Sequence, residues 1–202
     1  MTQAKTKTLT FEQFVEWKPE NGRYELRNGA IVEVQPTGSH EATIEELALR
    51  LTSEILRRDL PYRIPKQALV KPPEGETAYS PDVLIRDITN TASEPLWEKY
   101  STLTQAASIP LVIEVVSTNW RDDYLTKAGE YEALGIPEYW IVDYLGLGGR
   151  RFIGNPKQPT FSIYCLVDGE YQIAQFRGDD RIDSPTFPEL NLTAQQIFNA
   201  GL

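Results

Sequence analysis

A short apolar run from Leu111 to Val116 constrains the fold of this chain more than any other feature. Its near-continuous hydrophobicity predicts a buried central strand. Glu114 interrupts the run, and it shares a strand face with Val112 and Val116 because alternate side chains point to opposite faces. A buried carboxylate is costly unless something compensates it. The sequence therefore predicts a metal ion, a lysine or a hydrogen-bond network beside Glu114. A plain buried ion pair, or an edge strand that reaches water, is the alternative.

The segment after this strand predicts a helix that packs back over the sheet. Apolar residues recur at helical spacing from Asp122 to Leu134. Lys127 falls at the inward edge of that apolar stripe. It could carry its ammonium towards Glu114, or it could form an exposed pair with Asp123, which would contribute little to stability. Both interpretations stay open at this point.

The composition bounds the class of protein. A chain of 202 residues that is 41% hydrophobic and 24% charged suits one soluble α/β domain. It contains no apolar run long enough for a membrane span, and its N-terminus is polar, so we expect a cytoplasmic protein. The single cysteine, Cys165, allows no internal disulfide, and one cysteine with one histidine excludes the usual zinc sites. A metal site must therefore use oxygen ligands, which favours Mg²⁺, Mn²⁺ or Ca²⁺.

The net charge of −9 argues against nonspecific nucleic-acid binding by the whole surface. A locally basic groove stays open as an alternative, although each basic cluster is better explained as ordinary solvated surface. The candidate clusters are Arg57 with Arg58, Arg63 with Lys66 and Lys71, and Arg150 with Arg151.

Local patterns predict the remaining elements. Helices are predicted over 10–17, where Thr10 and Gln13 form a capping box, over 39–58 with Ser39 as N-cap, and over 193–200. Strands are predicted within 61–71 and over 79–86, 138–144, 151–154, 161–167 and 171–176, with hairpins at Asn28-Gly29 and Asp168-Gly169. Residues 1–9 are predicted to be a disordered tail, residues 10–202 a single domain, and residues 87–108 an irregular polar segment.

A second lone carboxylate, Asp82, lies at the mouth of the 79–86 strand. Two carboxylates on two strands, together with a lysine, form a known arrangement for phosphoryl chemistry. The carboxylates hold a hard divalent cation, which polarises a phosphoryl oxygen and lowers the pKa of a bound water. The lysine orients that water or offsets charge on the phosphate. If Asp82 and Glu114 repel each other without metal, Asp82→Asn should raise the melting temperature of the metal-free protein.

This ordered set of residues resembles the PD-(D/E)XK nuclease superfamily, and within it a bacterial restriction-endonuclease domain family. The resemblance spans roughly residues 10–180. The segments that carry it are Tyr24-Glu25-Leu26, Asn28-Gly29, His40, Ser80-Pro81-Asp82, Ile113 to Ser117, Asp123, Lys127 and residues 135–143. The Pro-Asp dipeptide alone is a weak signal, whereas the ordered set is strong.

The resemblance implies a restriction-endonuclease-like α/β fold, in which a mixed sheet is flanked by helices and followed by a C-terminal antiparallel hairpin region. It implies Mg²⁺ or Mn²⁺ bound by Asp82, Glu114 and the Val115 carbonyl, with Lys127 as the catalytic lysine. It also implies a set of auxiliary polar residues around the site, namely Glu25, His40 and Tyr131.

One position departs from the superfamily pattern. The lysine usually stands two residues after the glutamate, and here that position is Val116. The closer family places the lysine on the following helix, which fits Lys127. The implied function is a metal-dependent endonuclease that hydrolyses nucleic acid, DNA rather than RNA, with a homodimer left open. The alternative is a catalytically silent nuclease fold that binds nucleic acid or a protein, which the acidic charge favours.

Overall fold

The structure, a computed structural model, describes residues 8–19 and 21–202. Most of the predicted disordered tail, 1–9, lies outside the described residues, and the assignment of 10–202 to one domain stays a prediction. Within the described part, the Leu9 backbone N–H donates to the Gly29 carbonyl at 2.9 Å. This bond ties the start of the described chain to the first hairpin.

Helices and strands alternate along most of the chain. The helices are α1 Phe11–Trp17, α2 Gly38–Arg57, α3 Trp97–Tyr100, α4 Ala128–Leu134, α5 Arg150–Ile153 and α6 Ala194–Phe198. The strands are β1 Arg23–Arg27, β2 Ala30–Val34, β3 Tyr62–Arg63, β4 Leu69–Val70, β5 Val83–Asp87, β6 Thr102–Leu103, β7 Leu111–Val115, β8 Glu138–Asp143, β9 Thr160–Val167 and β10 Glu170–Phe176. A π-helix spans Asp122–Lys127, and 3₁₀ turns span Thr91–Ser93, Ala106–Ser108 and Asn199–Gly201. Of the helices described, none has both the length and the apolar character that a bilayer crossing requires.

Six strands form a mixed sheet in the order β10-β9-β8-β7-β5-β3. Only the central pair, β7 with β8, is parallel, and the other neighbours in this sheet are antiparallel. The β1–β2 hairpin and the parallel β4–β6 pair form two small sheets beside it. The α/β class, the mixed sheet, the flanking helices and the C-terminal β9–β10 hairpin are confirmed.

The central strand β7 is buried on both faces, as its apolar run predicts. One face packs against α2 and the C-terminal segments, through side chains such as Ile113 and Val115. The opposite face packs against the π-helix and α4, through Val112 and Val116. Glu114 projects towards this second side, so the helix predicted to cover it does so.

Helix termini follow the local capping signals with one exception. The capping boxes of Thr10 with Gln13 and of Thr193 with Gln196 are both formed. The predicted N-cap of α2, Ser39, is wrong. The Thr37 hydroxyl caps the helix instead, by accepting the His40 backbone N–H at 3.4 Å.

Three other element predictions need correction. Residues 151–154 are not a strand, because Arg150–Ile153 forms a helical turn whose Ile153 side chain is completely buried. Periodicity cannot separate a helix from a strand over four residues. The predicted strand over 79–86 begins only at Val83, which leaves Asp82 just ahead of it. Residues 87–108 are not wholly irregular, since they hold α3, β6 and two 3₁₀ turns.

Candidate active site

The register of two strands brings Asp82 and Glu114 to the same edge of the sheet. In the antiparallel β5–β7 pair, Val83 lies opposite Ile113. One step further along this register sets Asp82 opposite Glu114. The Val115 backbone N–H closes the arrangement by donating to Asp82 Oδ2 at 2.8 Å.

Asp82 is a buried carboxylate surrounded by donors. Arg23 Nη1 donates to its Oδ1 at 2.9 Å, and Arg23 Nη2 donates to the Ser80 carbonyl at 2.7 Å. Burial alone would raise the pKa of Asp82, but the hydrogen bond from His40 and the charge of Arg23 outweigh it and hold this pKa below its ordinary value. Asp82 is therefore ionised at neutral pH.

His40 reaches the site from the first turn of α2, on the other side of the sheet from Lys127. Its Nε2 lies 2.8 Å from the Val115 carbonyl oxygen and 3.4 Å from Asp82 Oδ2. Burial would lower the pKa of this imidazole, but its contacts with Asp82 raise it above the ordinary value. The side chain is buried, whereas a histidine in the first turn of a helix is usually solvated.

Lys127 points into the site and meets Glu114 directly. Its Nζ lies 3.0 Å from Glu114 Oε1, and the Tyr131 hydroxyl donates to the same oxygen at 3.1 Å. Burial raises the pKa of Glu114 to about 8, with the Lys127 charge acting against this rise and the Asp82 charge adding to it. The pKa of Lys127 lies well above its ordinary value, because the charges of Glu114 and Glu25 outweigh its burial. Lys127 therefore stays protonated, and Glu114 is the group that takes up a proton.

Glu25 is a second carboxylate that contacts Lys127. Its Oε1 lies 3.2 Å from Lys127 Nζ and accepts the Ser80 backbone N–H at 3.2 Å. Its Oε2 accepts from Arg27 at 2.8 and 2.6 Å. The usual outcome for such a strand glutamate, exposure to solvent, is wrong here, since Glu25 is 1% exposed. All of its oxygens are satisfied by the protein.

The interpretation of Lys127 and Asp123 as an exposed surface pair is also wrong, because both side chains are buried. Lys127 Nζ lies 3.7 Å from Asp123 Oδ1. Both residues belong to the π-helix rather than to a regular α-helix. The Tyr139 hydroxyl donates to the Asp123 carbonyl at 3.0 Å, and a side chain that inserts into the backbone ladder in this way distorts a helix. Single-turn π-helices occur often at functional sites.

These residues line one open cavity of about 390 Å³. Its wall also contains the end of β2 and the segments that follow β7 and β8. The predicted site residues in its lining are Glu25, His40, Asp82, Glu114, Val115 and Lys127, and Tyr131 contacts Glu114 from behind. The structure thus brings together every residue assigned to the site from the sequence.

The donors in this cavity are compatible with a hard divalent cation. Carboxylate and carbonyl oxygens are the ligands that Mg²⁺ prefers, and both contacts to Glu114 use Oε1, which leaves its Oε2 for another partner. Between residues 8 and 202, Glu20 aside, no three Asp, Glu, His or Cys side chains are grouped as a metal site. The predicted set is smaller than such a group, since it has two carboxylates and one backbone carbonyl. Arg23 already occupies Asp82, so a cation would meet a competitor there.

Four charged residues of the cavity were not assigned to the site from the sequence: Arg23, Arg27, Glu33 and Asp123. A signal for two of them was present. Arg23, Glu25 and Arg27 alternate along β1 and therefore share one strand face, so a buried Glu25 brings both arginines with it. Asp123 was named in the sequence only as part of the motif and as a possible partner of Lys127, and it lies buried in the π-helix.

Comparison with known proteins assigns this chain to a family. Residues 11–195 match the Uma2 family, which is described as "Putative restriction endonuclease". The chain belongs to this family. The match spans the β1 motif, Asp82, Glu114 and Lys127, and it supports a nuclease function in general terms. No curated protein matches the chain.

A solved structure shows the same fold. A "putative nuclease belonging to DUF820" from Anabaena variabilis has a TM-score of 0.71 to this chain at 19% sequence identity. The alignment covers 96% of this chain and 99% of that one. At this level of identity the likeness establishes the fold of this Uma2 protein, the restriction-endonuclease-like fold that its sequence predicts.

Proposed function

We propose that this Uma2 protein is a metal-dependent endonuclease that hydrolyses phosphodiester bonds, with DNA as its substrate. The observation that carries the proposal is the contact of 3.0 Å between Lys127 Nζ and Glu114 Oε1 in the same cavity as Asp82. Lys127, from the helical segment after β7, thereby takes the place of the lysine that the superfamily usually carries on the strand, where this chain has Val116. Two carboxylates that can hold a divalent ion, with one ammonium beside them, suit this chemistry.

Asp82, Glu114 and the Val115 carbonyl would hold Mg²⁺ or Mn²⁺. When bound, such an ion polarises a phosphoryl oxygen and lowers the pKa of a coordinated water. Asp82 is ionised, and a cation would compete with Arg23 for it, whereas Glu114 loses its proton more easily once a cation is near.

The protein side chains would position the reacting groups. Lys127 holds a fixed positive charge at the cavity, where it can orient the attacking water or stabilise negative charge on the phosphate. Glu25 and Glu114 fix its Nζ from two sides, and the Tyr131 hydroxyl orients the Glu114 carboxylate. His40 holds the Val115 carbonyl and so orients a backbone ligand.

A cleavage assay tests this proposal. The parent protein is incubated with supercoiled plasmid, linear duplex, single-stranded DNA and RNA, in Mg²⁺ and in Mn²⁺. We expect metal-dependent cleavage of DNA that Asp82→Ala and Glu114→Ala abolish and that Lys66→Ala, a change of an exposed residue, retains. Cleavage that is equal in EDTA, or equal in Asp82→Ala, would show that this cavity does not cut.

The second candidate is a catalytically silent nuclease fold that binds nucleic acid. Arg23 favours it, because its guanidinium occupies the carboxylate that a metal would need. The net charge of −9 also disfavours extensive contact with a DNA backbone. DNA binding without cleavage under any of these metal conditions would support this candidate. A cytoplasmic location and a homodimer stay predictions.

A further inference from the structure

Two aromatic side chains and two arginines form one connected cluster beside the mouth of the cavity. The ring centroids of Trp120 and Phe152 lie 6.0 Å apart. The Arg121 guanidinium carbon lies 4.4 Å from the centroid of Trp120, and that of Arg151 lies 4.5 Å from the centroid of Phe152. We call these four residues the aromatic–arginine cluster.

The cluster has a rigid base. The buried ring of Tyr124 stacks on Phe152 with centroids 4.6 Å apart, and it lies 6.3 Å from Trp120. A Cβ atom on Gly149 would lie 2.8 Å from the Trp120 ring, so a glycine is needed for the indole to pack on the backbone there. The two exposed arginines are therefore mounted on rings whose own positions are fixed.

The cluster adjoins the proposed active site on two sides. Trp120 directly follows Asn119, which lines the cavity, and Tyr124 directly follows Asp123. Leu147 also lines the cavity, and its carbonyl accepts from Lys157 Nζ at 2.9 Å. The exposed cations that border this side of the site are Arg121, Arg150, Arg151 and Lys157.

This concentration of positive charge contrasts with the net charge of −9. Of the basic groups considered in the sequence, Arg150 with Arg151 is the one that the fold sets beside aromatic rings and near the site. Arg57, by comparison, is bonded to Glu54 and Glu189. Exposed arginines next to aromatic rings match the chemistry of a nucleic-acid strand, whose phosphates bind cations and whose bases stack on rings and guanidinium planes.

We propose that the aromatic–arginine cluster is the surface on which single-stranded DNA docks before its backbone enters the cavity. The inference rests on the proposed nuclease function. A single strand fits better than a duplex, because paired bases hide the faces that would stack on the exposed guanidinium planes of Arg121 and Arg151. An acidic protein is also poorly suited to the broad backbone contact that duplex binding uses. The choice of DNA over RNA is taken from the proposed function.

Fluorescence anisotropy tests this surface apart from catalysis. A labelled single strand of about 20 nucleotides, its duplex and the RNA of the same sequence are titrated in EDTA, so that nothing is cut. We expect the parent to prefer the single-stranded DNA. Arg121→Gln with Arg151→Gln should weaken that binding roughly tenfold at low salt, and should reduce the slope of log affinity against log salt by about 1.4, since each phosphate contact contributes about 0.7.

A matched control removes the same charge elsewhere. Arg57→Gln with Arg58→Gln also deletes two arginines, at the end of α2, about 26 Å along the helix from His40. This variant should bind within about twofold of the parent. Trp120→Leu keeps an apolar side chain on Gly149 but removes the ring, and it should cut the affinity for the single strand about tenfold.

The outcomes separate this inference from the proposed function. If the cluster variants bind single-stranded DNA like the parent, or if the parent prefers the duplex or the RNA, the docking surface is wrong even where cleavage is observed. If no protein in the series cuts DNA but the cluster variants alone lose binding, the surface stands and the nuclease function fails. Parent protein that shows no binding at all overturns the surface as well.

Discussion

Asp82, just ahead of β5, and Glu114, on β7, lie opposite each other in the cavity. The charges around them differ, because Asp82 has mainly cationic neighbours and Glu114 has mainly acidic ones. Asp82 is held by Arg23, by His40 and by a backbone N–H, and its pKa lies below the ordinary value. Glu114 shares the single ammonium of Lys127 with Glu25 and Asp123, and burial raises its pKa to about 8. Equal burial thus gives opposite shifts. The ratio of cations to carboxylates around each acid decides which one binds a proton.

The largest effect is expected at the Glu114 end, from Lys127→Met. We expect DNA cleavage to fall by roughly 10²–10³-fold, the loss typical of removing one donor to a developing charge. Stabilisation of the protein by Mn²⁺ should increase, because the acids around Lys127 then lack their cation. Single-turnover cleavage and thermal unfolding with and without Mn²⁺ measure the two effects.

Lys66→Met is the control for that change, since it deletes an exposed lysine. If Lys127→Met cleaves as well as this control in a preparation where Asp82→Ala is inactive, the catalytic assignment of Lys127 is wrong. Another basic residue of the cavity, such as Arg23 or Arg27, would then be the candidate.

At the Asp82 end, Arg23→Met should tighten metal binding while it lowers the stability of the metal-free protein. Without the guanidinium, a divalent ion no longer competes with it for Asp82, so the Kd for Mn²⁺ should tighten about tenfold, since a hydrogen bond to a charged group contributes ~1.5–3 kcal/mol. The metal-free protein should lose about 3 kcal/mol, because a buried partner is removed. Calorimetric titration with Mn²⁺ and denaturant unfolding are the measurements. Weaker Mn²⁺ binding would show that Arg23 supports the metal ligands instead of competing with the metal.

Neutralising each carboxylate compares the two ends directly. From the sequence alone, repulsion between Asp82 and Glu114 predicts that Asp82→Asn raises the melting temperature of the metal-free protein. The contacts of Asp82 in the structure reverse this expectation. We now expect Asp82→Asn to cost about 2 kcal/mol, and Glu114→Gln to add about 1 kcal/mol while it still accepts from Tyr131. The melting temperature in EDTA should therefore fall by about 4–8 °C for Asp82→Asn and rise by about 2–4 °C for Glu114→Gln. Shifts of the same sign in both variants would remove the distinction.

The pH dependence of stability tests the same contrast without a mutation. The pKa values of Glu114 and Asp123 are raised in the folded protein to about 8 and about 7, so the native state binds more protons than the unfolded chain between the ordinary carboxyl range and those values. The free energy of unfolding without metal should therefore fall as pH rises from about 5 to 8. Asp82 acts in the opposite sense, because its lowered pKa means that its stabilisation is lost only in acid.

Glu114→Gln is the matched variant for this dependence. It removes one of the two raised groups, so its stability in EDTA should decline less steeply over the same pH interval than that of the parent. A parallel decline in both proteins would assign the slope to Asp123 and His40, whose pKa values are also raised.

Much of the fold follows from local patterns in the sequence. The apolar run of β7, the Asn28-Gly29 hairpin and the two capping boxes each involve residues within a few positions of one another. Such signals express backbone and side-chain preferences that need no distant partner. Where the local pattern was too short, as in Arg150–Ile153, the prediction of a strand was wrong. The site assignments depended instead on the ordered motif and on one chemical fact, that a carboxylate in an apolar strand needs a partner.

Only the tertiary structure shows which charged side chains contact each other. Arg23 lies 59 positions from Asp82 in the chain, and Arg27 lies 95 positions from Asp122, yet each pair is hydrogen-bonded. The sequence predicted that Glu114 would be buried and compensated, with an edge strand as the alternative, and it left open whether Lys127 would face the solvent with Asp123 or the cavity with Glu114. In the structure both side chains are buried, and Lys127 contacts Glu114. The physical reason is that a pKa depends on every charge within a few ångströms, and chain folding brings those charges together from positions that no local pattern connects.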